Sequence, residues 1–589
     1  MKHFTRKNGY KFLIGFGLIL FFSIRLISLE ADLPNWGIGQ YQAPDEGPYG
    51  YLALNQLNYG TINPDFINNP DIDQYTAPHL RGNLLGNIMV YIGIKIFGDN
   101  YIGFRISSFF MMFINFLLIY GILNLMKDNY YKKDYKKGSI FKFAFLFLLI
   151  IDFMFTLASK VVETSIYRQF TILLCSYLYI KMNKSTKLRF FLIGFISVFS
   201  VCGIYITNLF FVVAVSVTVL IYWIKDIKKN FKSPFFYFLG GCLAFLVCEL
   251  YYRIFWRTTL FENTLLTLNN FSGLEEYTAT SSIYLILRRG FLFLASNFNV
   301  YNISMFFLFL LLLPLVLWKS LKNRDEFLIL NLCTYGCLFL QTLYTEDYIF
   351  RKYILVVPCL IFLLYFAIQE VSLINWKDIS LIKKIFILCY VLLCFSLCIF
   401  LLYYRFIRIS DGSIADYSVI DIKILLYVNI IFLGILFVGI MSFLFINHFK
   451  VWYSSILWCF LSCVIINSYL DLSYIYGNRT YTDKKIMIEL KEFEDQEYIV
   501  GDYILSYCLY NDIIPILNNY TSMFNAMIEN DRYFLGYSTE WNMGFKSYIE
   551  NELNNYGYEL KVIKKFPREQ KTFGVHRDVA LYKAVKNKH

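Results

Sequence analysis

Two adjacent carboxylates, Asp45 and Glu46, stand in the stretch YQAPDEGPYGY, Tyr41 to Tyr51, just after the first apolar run of the chain. Acid pairs are uncommon so close to a bilayer, because a charge is costly to take out of water. Pro44 ends the preceding segment, and Gly47 and Pro48 permit a sharp turn into a short helix beginning near Tyr49. A carboxylate at a helix N-terminus accepts from free N–H groups and is stabilised by the dipole, so a plain cap is one reading. An ionised aspartate held there is also a good general base for activating a hydroxyl, which is the other.

The elements that must position this pair are set by composition. The chain has 589 residues, of which 57% are hydrophobic, and apolar runs long enough to span a bilayer recur along most of it. It reads as a polytopic α-helical membrane protein, since a β-barrel would show short alternating segments. The net charge of +12 does not point to nucleic acid. The Lys and Arg sit in short loops between apolar runs, where orientation needs them, and no basic recognition motif accompanies them. Of 13 Cys, all but Cys508 lie within or beside apolar runs, so neither a disulfide framework nor a zinc site is implied. Lys2, Arg6, Lys7 and Lys11 precede an apolar run with no small-residue cleavage site after it, which reads as a retained first helix.

Spans are expected at 11–29, 102–126, 141–157, 166–182, 190–207, 208–224, 234–255, 300–318, 327–344, 353–370, 385–403, 424–446 and 451–470, about thirteen in all. With the N-terminus inside, every inner loop is basic, from Lys127, Lys132, Lys133, Lys136 and Lys137 to Lys450. The run Leu84 to Gly98 must then not span; it is short, carries Asn87 and Lys95, and reads as an amphipathic helix on the outer surface. The first outer loop covers about 30–101. An odd number of spans puts the C-terminus outside, and the polar segment 472–589 reads as a small extracytoplasmic α/β domain after a membrane module of 1–471. Its apparent strands are EYIVGDYI, DRYFLGY, YELKVIKKF and VALYKAV, and GFKSYIENELNNYG is helical in pattern.

Acids and bases converge on the outer face. Beside the first loop stand ASKVVETSIYRQF, LEEYTATSSIYLILRRG and YTEDYIFRKYILVVP. Charges within spans are few, with Arg25, Arg105 and Glu249 the visible ones, whereas cation-coupled transport would use mid-span charges. His79 is the only histidine on the outer side of the membrane core, and a lone histidine is a poor metal site. The only ligand set on offer to a divalent cation is His79 with Asp45, Glu46 and Asp73; no metal and no other cofactor is expected. The many Tyr and Phe could stack on sugars, and they also suit a membrane interface.

A resemblance rests on several of these residues. An acidic pair in the first outer loop, then Tyr49, LNYG, Ala77-Pro78-His79-Leu80, and IFGDNYIGFRISS opening the second span look like the GT-C glycosyltransferases. The pattern is most similar to the bacterial protein O-mannosyltransferase and aminoarabinose-transferase superfamily. That family has Pro-Pro where this chain has Pro78-His79. It often has Leu-Thr-Lys-Gly where FISVFSVCGIY is followed by Ile206, Thr207 and Asn208, with no lysine. RKYILVVP at 351–358 and an outer C-terminal domain extend the likeness.

The resemblance implies an inverting transfer of a sugar from a polyprenyl-phosphate carrier, with Asp45 as base on the acceptor and Glu46 orienting substrate or base. A phosphate leaving group calls for cations, and those on the correct face are Arg81, Lys160, Arg168, Arg288, Arg289, Arg351 and Lys352. Of these, Arg81, Arg351, Lys352 and Lys160 are the expected donor-phosphate ligands. Each also suits an interfacial anchor that reaches for headgroups. Tyr49, His79, Glu163 and Arg105 are expected to complete the pocket. The expected partners are the lipid-linked donor, the bilayer and an extracytoplasmic acceptor (a protein, a lipid-linked glycan or an envelope polymer), with no nucleic acid. The location is the cell membrane. The rival readings are a polysaccharide polymerase or ligase, a lipid-linked glycan flippase or transporter, and a non-catalytic scaffold in which the acids are caps.

Overall fold

The computed structural model describes residues 2–31, 52–57, 60, 83–131, 135–162, 164–182, 186–225, 227–265, 299–344, 351–374, 379–410, 422–446, 449–472, 481–494, 499–502, 514–516, 524–529, 531–537, 545–567, 571–572, 575–576 and 578–587. The apolar runs become helices because a backbone in hydrocarbon must satisfy its own N–H and C=O groups. They are α1 (Lys2–Leu26), α2 (52–57), α3 (Leu84–Phe97), α4 (Tyr101–Tyr130), α5 (Tyr135–Ile151), α6 (Phe153–Ala158), α7 (Thr164–Lys181), α8 (Thr186–Cys202) and α9 (Leu209–Lys225). Next come α10 (Ser233–Tyr251), α11 (260–265), α12 (Asn299–Asn323), α13 (Glu326–Tyr344), α14 (Arg351–Ser372), α15 (Leu381–Ser410), α16 (Ile422–Ile446) and α17 (Phe449–Leu472).

Among the described residues nine helices are long and apolar enough to cross a membrane. The other four expected spans fall on α1, α5, α7 and α8, which are shorter or less apolar. The reason is plain for α7. It buries Thr164, Ser165, Arg168, Gln169, Thr171 and Ser176 against neighbouring helices, so its surface meets protein rather than lipid. At the other extreme α14 is buried over 94% of its apolar window and forms the central post of the bundle. By contrast α10, α15 and α16 are only 28% buried and make the lipid-facing rim.

One expected span is corrected. The stretch 141–157 is not a single helix but α5 and α6, broken at Asp152. Asp152 is extended (φ −64°, ψ 120°) and caps α6, its Oδ1 accepting from Phe155 N at 3.0 Å. Asn467 of α17 accepts from Phe153 N at 3.1 Å. The carbonyls left over at the end of α5 are taken by Arg25, which donates to Ile150 O at 2.7 Å and Leu149 O at 3.0 Å. A break inside the bilayer is tolerated only when such partners replace the lost ladder.

The run at 84–98 is α3, about 21 Å long, too short for a hydrocarbon core. Asn83 caps its start, accepting from Gly86 N at 3.0 Å. Gly98, with φ +89°, turns the chain back so that α3 lies along the start of α4. The contact is backbone to backbone: a Cβ on Gly93 would meet Gly103 O, and one on Gly103 would meet Gly98 O. The outer side of α3 presents Ile88, Ile92 and Ile96, a stripe suited to an interfacial helix.

The polar tail carries α18 (Thr482–Glu494), β1 (Ile499–Asp502), β2 (Ile514–Ile516), β3 (Tyr533–Tyr537), α19 (Phe545–Asn555), β4 (Tyr558–Phe566), a small β5–β6 pair (Lys571–Thr572 and Val575–His576) and β7 (Val579–Lys586). Five strands make one sheet in the order β2-β1-β3-β7-β4, parallel among the first three and antiparallel thereafter. Ala580 and Tyr582 of β7 pack with Ile549 and Leu553 of α19. Val579 and Leu581 pack with Ile486 and Leu490 of α18. Burial on both faces explains why β7 reads as a continuous apolar run.

Candidate functional site

The helix ends sort into two groups. At one end Tyr130 donates to Asp325 at 2.6 Å, Arg189 pairs with Glu326 at 3.0 Å and Lys319 with Glu370 at 2.7 Å. This end carries the basic loops. At the opposite end α2, α3, the start of α4, the loop after α6, the turn between α8 and α9, α11 and α18 come together, and this is the end where the first loop begins. Asp45, Glu46, Tyr49, His79, Arg81 and Glu163 lie outside the described residues, as do Asp73, Arg288 and Arg289. Arg351 and Lys352 open α14, and their side chains lie outside the described residues too.

What is described is the frame around that loop. Its stem is the turn 27–31, where α1 ends. Arg105, one turn into α4, is buried and donates to both Leu29 O and Ala31 O at 2.7 Å, its guanidinium also 4.7 Å from the Tyr101 ring. Lys160 is fully buried and donates to Ile27 O at 2.6 Å. Cations at the carbonyl end of a helix oppose its negative pole. Of the expected site residues, the structure thus brings Arg105 and Lys160 together on the stem. Below them Arg25, Asp152 and Asp471 form a further charged group, with Asp471 in electrostatic reach of Arg25, Asp152 and Lys160. Sequence reading missed Asp152 and Asp471; an acid inside an apolar run was the available signal.

A second cluster centres on α7. Arg168 is buried and donates from Nε to Asn208 Oδ1 at 2.6 Å, and Asn208 in turn donates to Ser200 O at 3.1 Å. These bonds hold the turn between α8 and α9, whose Gly203 O accepts from Leu84 N at 3.0 Å at the start of α3. The next residue, Gln169, accepts from Asn115 at 2.8 Å and donates to Ile354 O at 2.6 Å in the first turn of α14. One polar face of α7 therefore fixes both the α8–α9 turn and the start of the helix that Arg351 and Lys352 open.

Beside this frame lies an apolar cavity of about 250 Å³, lined by Cys202, Tyr205, Phe245, Tyr252, Leu260 and Phe261 among others. Its wall is continuous with the first loop, because Leu52 of α2 packs with Tyr252 and Leu260. The close crossing of α8 and α10 stiffens another wall: a Cβ on Gly194 would meet Tyr237 O, and one on Gly240 would meet Phe191 O. A reciprocal cap sets α11. Thr259 N donates to Glu262 Oε2 at 2.8 Å, and Glu262 N donates to Thr259 Oγ1 at 3.0 Å. The Thr259 N–H and the Thr258 and Thr259 hydroxyls hold the Glu262 carboxyl below its usual range. Among the described residues no group of three His, Cys, Asp or Glu is placed to hold a metal.

No protein-family model matches the chain, and no curated protein matches it. Solved structures do. The chain aligns with ArnT from Cupriavidus metallidurans bound to undecaprenyl phosphate over 98% of each chain, at TM-score 0.54 and 10% identity. It aligns with the apo state of the same protein over 98% of each, at TM-score 0.51 and 11% identity. A weaker likeness, at TM-score 0.45 and 11% identity, runs to the oligosaccharyltransferase of Archaeoglobus fulgidus over 89% of this chain and 68% of that one. At such identities the likeness is one of fold. The chain shares its fold with ArnT along nearly its whole length.

Proposed function

We propose that the chain is an inverting glycosyltransferase that moves a sugar from a polyprenyl-phosphate carrier to an acceptor outside the membrane. The observation that carries this reading is a fold shared along nearly its whole length with a protein that binds undecaprenyl phosphate. The apolar cavity that adjoins α2 supports it, since a prenyl tail needs such a wall next to the reacting end. In the proposed step the acceptor oxygen attacks the anomeric carbon opposite the carrier phosphate. Asp45 takes the acceptor proton, the sugar–phosphate bond breaks, and the phosphate leaves on its lipid. Arg81, Arg351 and Lys352 meet the developing charge. Glu46 orients, and Tyr49, His79 and Glu163 line the pocket. Side chains supply both the base and the cations, so this chemistry asks for no cofactor.

The test is transfer by the purified protein from radiolabelled polyprenyl-phosphate sugars to an envelope extract. Arg81→Ala and the double change Arg351→Ala with Lys352→Ala should each lower kcat/KM for the donor by about ten- to hundredfold, the scale of a lost charge-assisted bond. Transfer from no such donor by the wild-type protein would sink the reading and favour a flippase or a polymerase.

The same reading sets an orientation: thirteen crossings, the N-terminus inside, and the sheet-bearing tail outside. It follows from the basic character of the loops at the Tyr130 and Lys319 end of the bundle. In a cysteine-free background, Cys introduced at Asp134 should resist an impermeant maleimide in intact cells, whereas Cys at Glu492 should react. Labelling of position 134 from outside would overturn the arrangement.

A further inference from the structure

We propose that Arg105, Lys160 and Lys484 are positioning residues that fix the stem 27–31 of the first loop from three separate elements, and that the C-terminal segment is thereby part of the catalytic frame. The proposal rests on the glycosyltransferase reading of that loop. The stem offers a run of acceptors where α1 ends. Leu29 O and Ala31 O are taken by Arg105 of α4, and Ile27 O by Lys160 in the turn after α6. The Glu30 carboxylate is taken by Lys484 of α18 at 2.6 Å. The stem itself is tightly wound: Ala31 N donates to Ser28 O at 3.1 Å, and Ser28 holds a left-handed φ of 60°. A residue other than glycine keeps that conformation only when its surroundings over-determine it.

The third contact is the informative one. Helix α18 belongs to the sheet through Ile486 and Leu490. Yet Met487, on the adjoining face, packs among Ala53, Leu54, Val90, Ile94, Tyr101 and Phe104 of the first loop and α4. Lys484 lies one turn before it. One helix thus bonds to the stem, packs on α2 and α3, and carries the sheet. The Lys484–Glu30 pair is about a third exposed, and pairs of that kind add little to stability. Its effect is geometric: a reacting group misplaced by about 1 Å loses on the order of a hundredfold in rate.

A phosphate ligand and a positioning residue differ in what they change. Loss of a ligand raises KM for the donor, whereas loss of a positioning residue lowers kcat with donor affinity intact. Lys484→Glu should lower kcat about tenfold with KM for the polyprenyl-phosphate sugar unchanged, and should speed amide hydrogen exchange in the peptide 23–31. The charge swap Glu30→Lys with Lys484→Glu should restore both, at an unchanged melting temperature. Lys484→Glu with normal kcat and normal exchange, or a swap that restores neither, would overturn the proposal. Should the wild-type protein transfer from no donor, the functional reading fails, and the exchange arm alone decides whether the stem is held this way.

Discussion

Purified Asp45→Asn is expected to fold, to bind the lipid-linked donor as the wild-type protein does, and to lose transfer by about two to four orders of magnitude. The substitution separates the two readings of the acid pair. Asparagine keeps the shape and accepts a hydrogen bond, so as a helix cap it serves about as well as aspartate. It takes no proton from an acceptor hydroxyl. Single-turnover transfer with saturating donor, beside a direct donor-binding measurement, reads the difference. Near-normal transfer would return Asp45 to the role of a cap and move the search to Glu46. Because the stem is held through backbone carbonyls, a side-chain change beyond it at Asp45 leaves the holding contacts in place.

Arg25→Met should be the most damaging single change to stability. Arg25 is fully buried and serves two carbonyls at the α5–α6 break while facing Asp471. Methionine fills similar space and replaces none of this. Leu149 O and Ile150 O lose their donor, and a buried acceptor left unmade costs about 1–3 kcal/mol each. The expected result is a large fall in the melting temperature of the detergent-solubilised protein. Part of it should return in Arg25→Lys, which keeps a donor for these carbonyls. A single mutant that melts like the wild type would show that the break is satisfied by other means.

The helices were legible because hydrocarbon leaves the backbone few options. A long apolar run with basic flanks, such as 424–446 or 385–403, has no competing structure to form. The strands IVGD, YFLGY, YELKVIKKF and VALYKAVK were legible too, as short β-branched and aromatic stretches between turn residues. The break at Asp152 was not, since hydropathy averages over a window and one aspartate barely lowers it. Only the partners Arg25 and Asn467, at positions 127 residues before and 315 residues after it, turn that aspartate into a helix start. The same holds for the frame of the site. Lys160 could be picked out as a cation on the right face, and Arg105 as a charge within a span and a pocket residue. That both close on one five-residue stem is a fact of packing between elements far apart in the chain, and no local pattern encodes it. Met487 and Lys484 gave no signal at all, because a helix with one face on a sheet and another on a membrane bundle reads like any amphipathic helix.

The central helix α14 has a consequence for how the chain is made. It is apolar enough to enter lipid unaided, yet in the finished protein 94% of its apolar window touches other helices. Its packing partners, α4 to α7, α12 and α13, all precede it in the chain, so it enters a bilayer that already holds them; its first solvent is lipid and its last is protein. Its sequence answers to two judges in turn. Each residue must be greasy enough to leave the translocon sideways, where a central Asp or Lys costs about 2.5–3.5 kcal/mol. Each must then be shaped to pack, in a setting where lipid is as apolar as leucine and only close fit draws helices together. A polar replacement in this helix would fail at the first stage before packing could be asked anything, whereas an apolar one of the wrong size would insert normally and fail only when it docks against α7, α12 and α13.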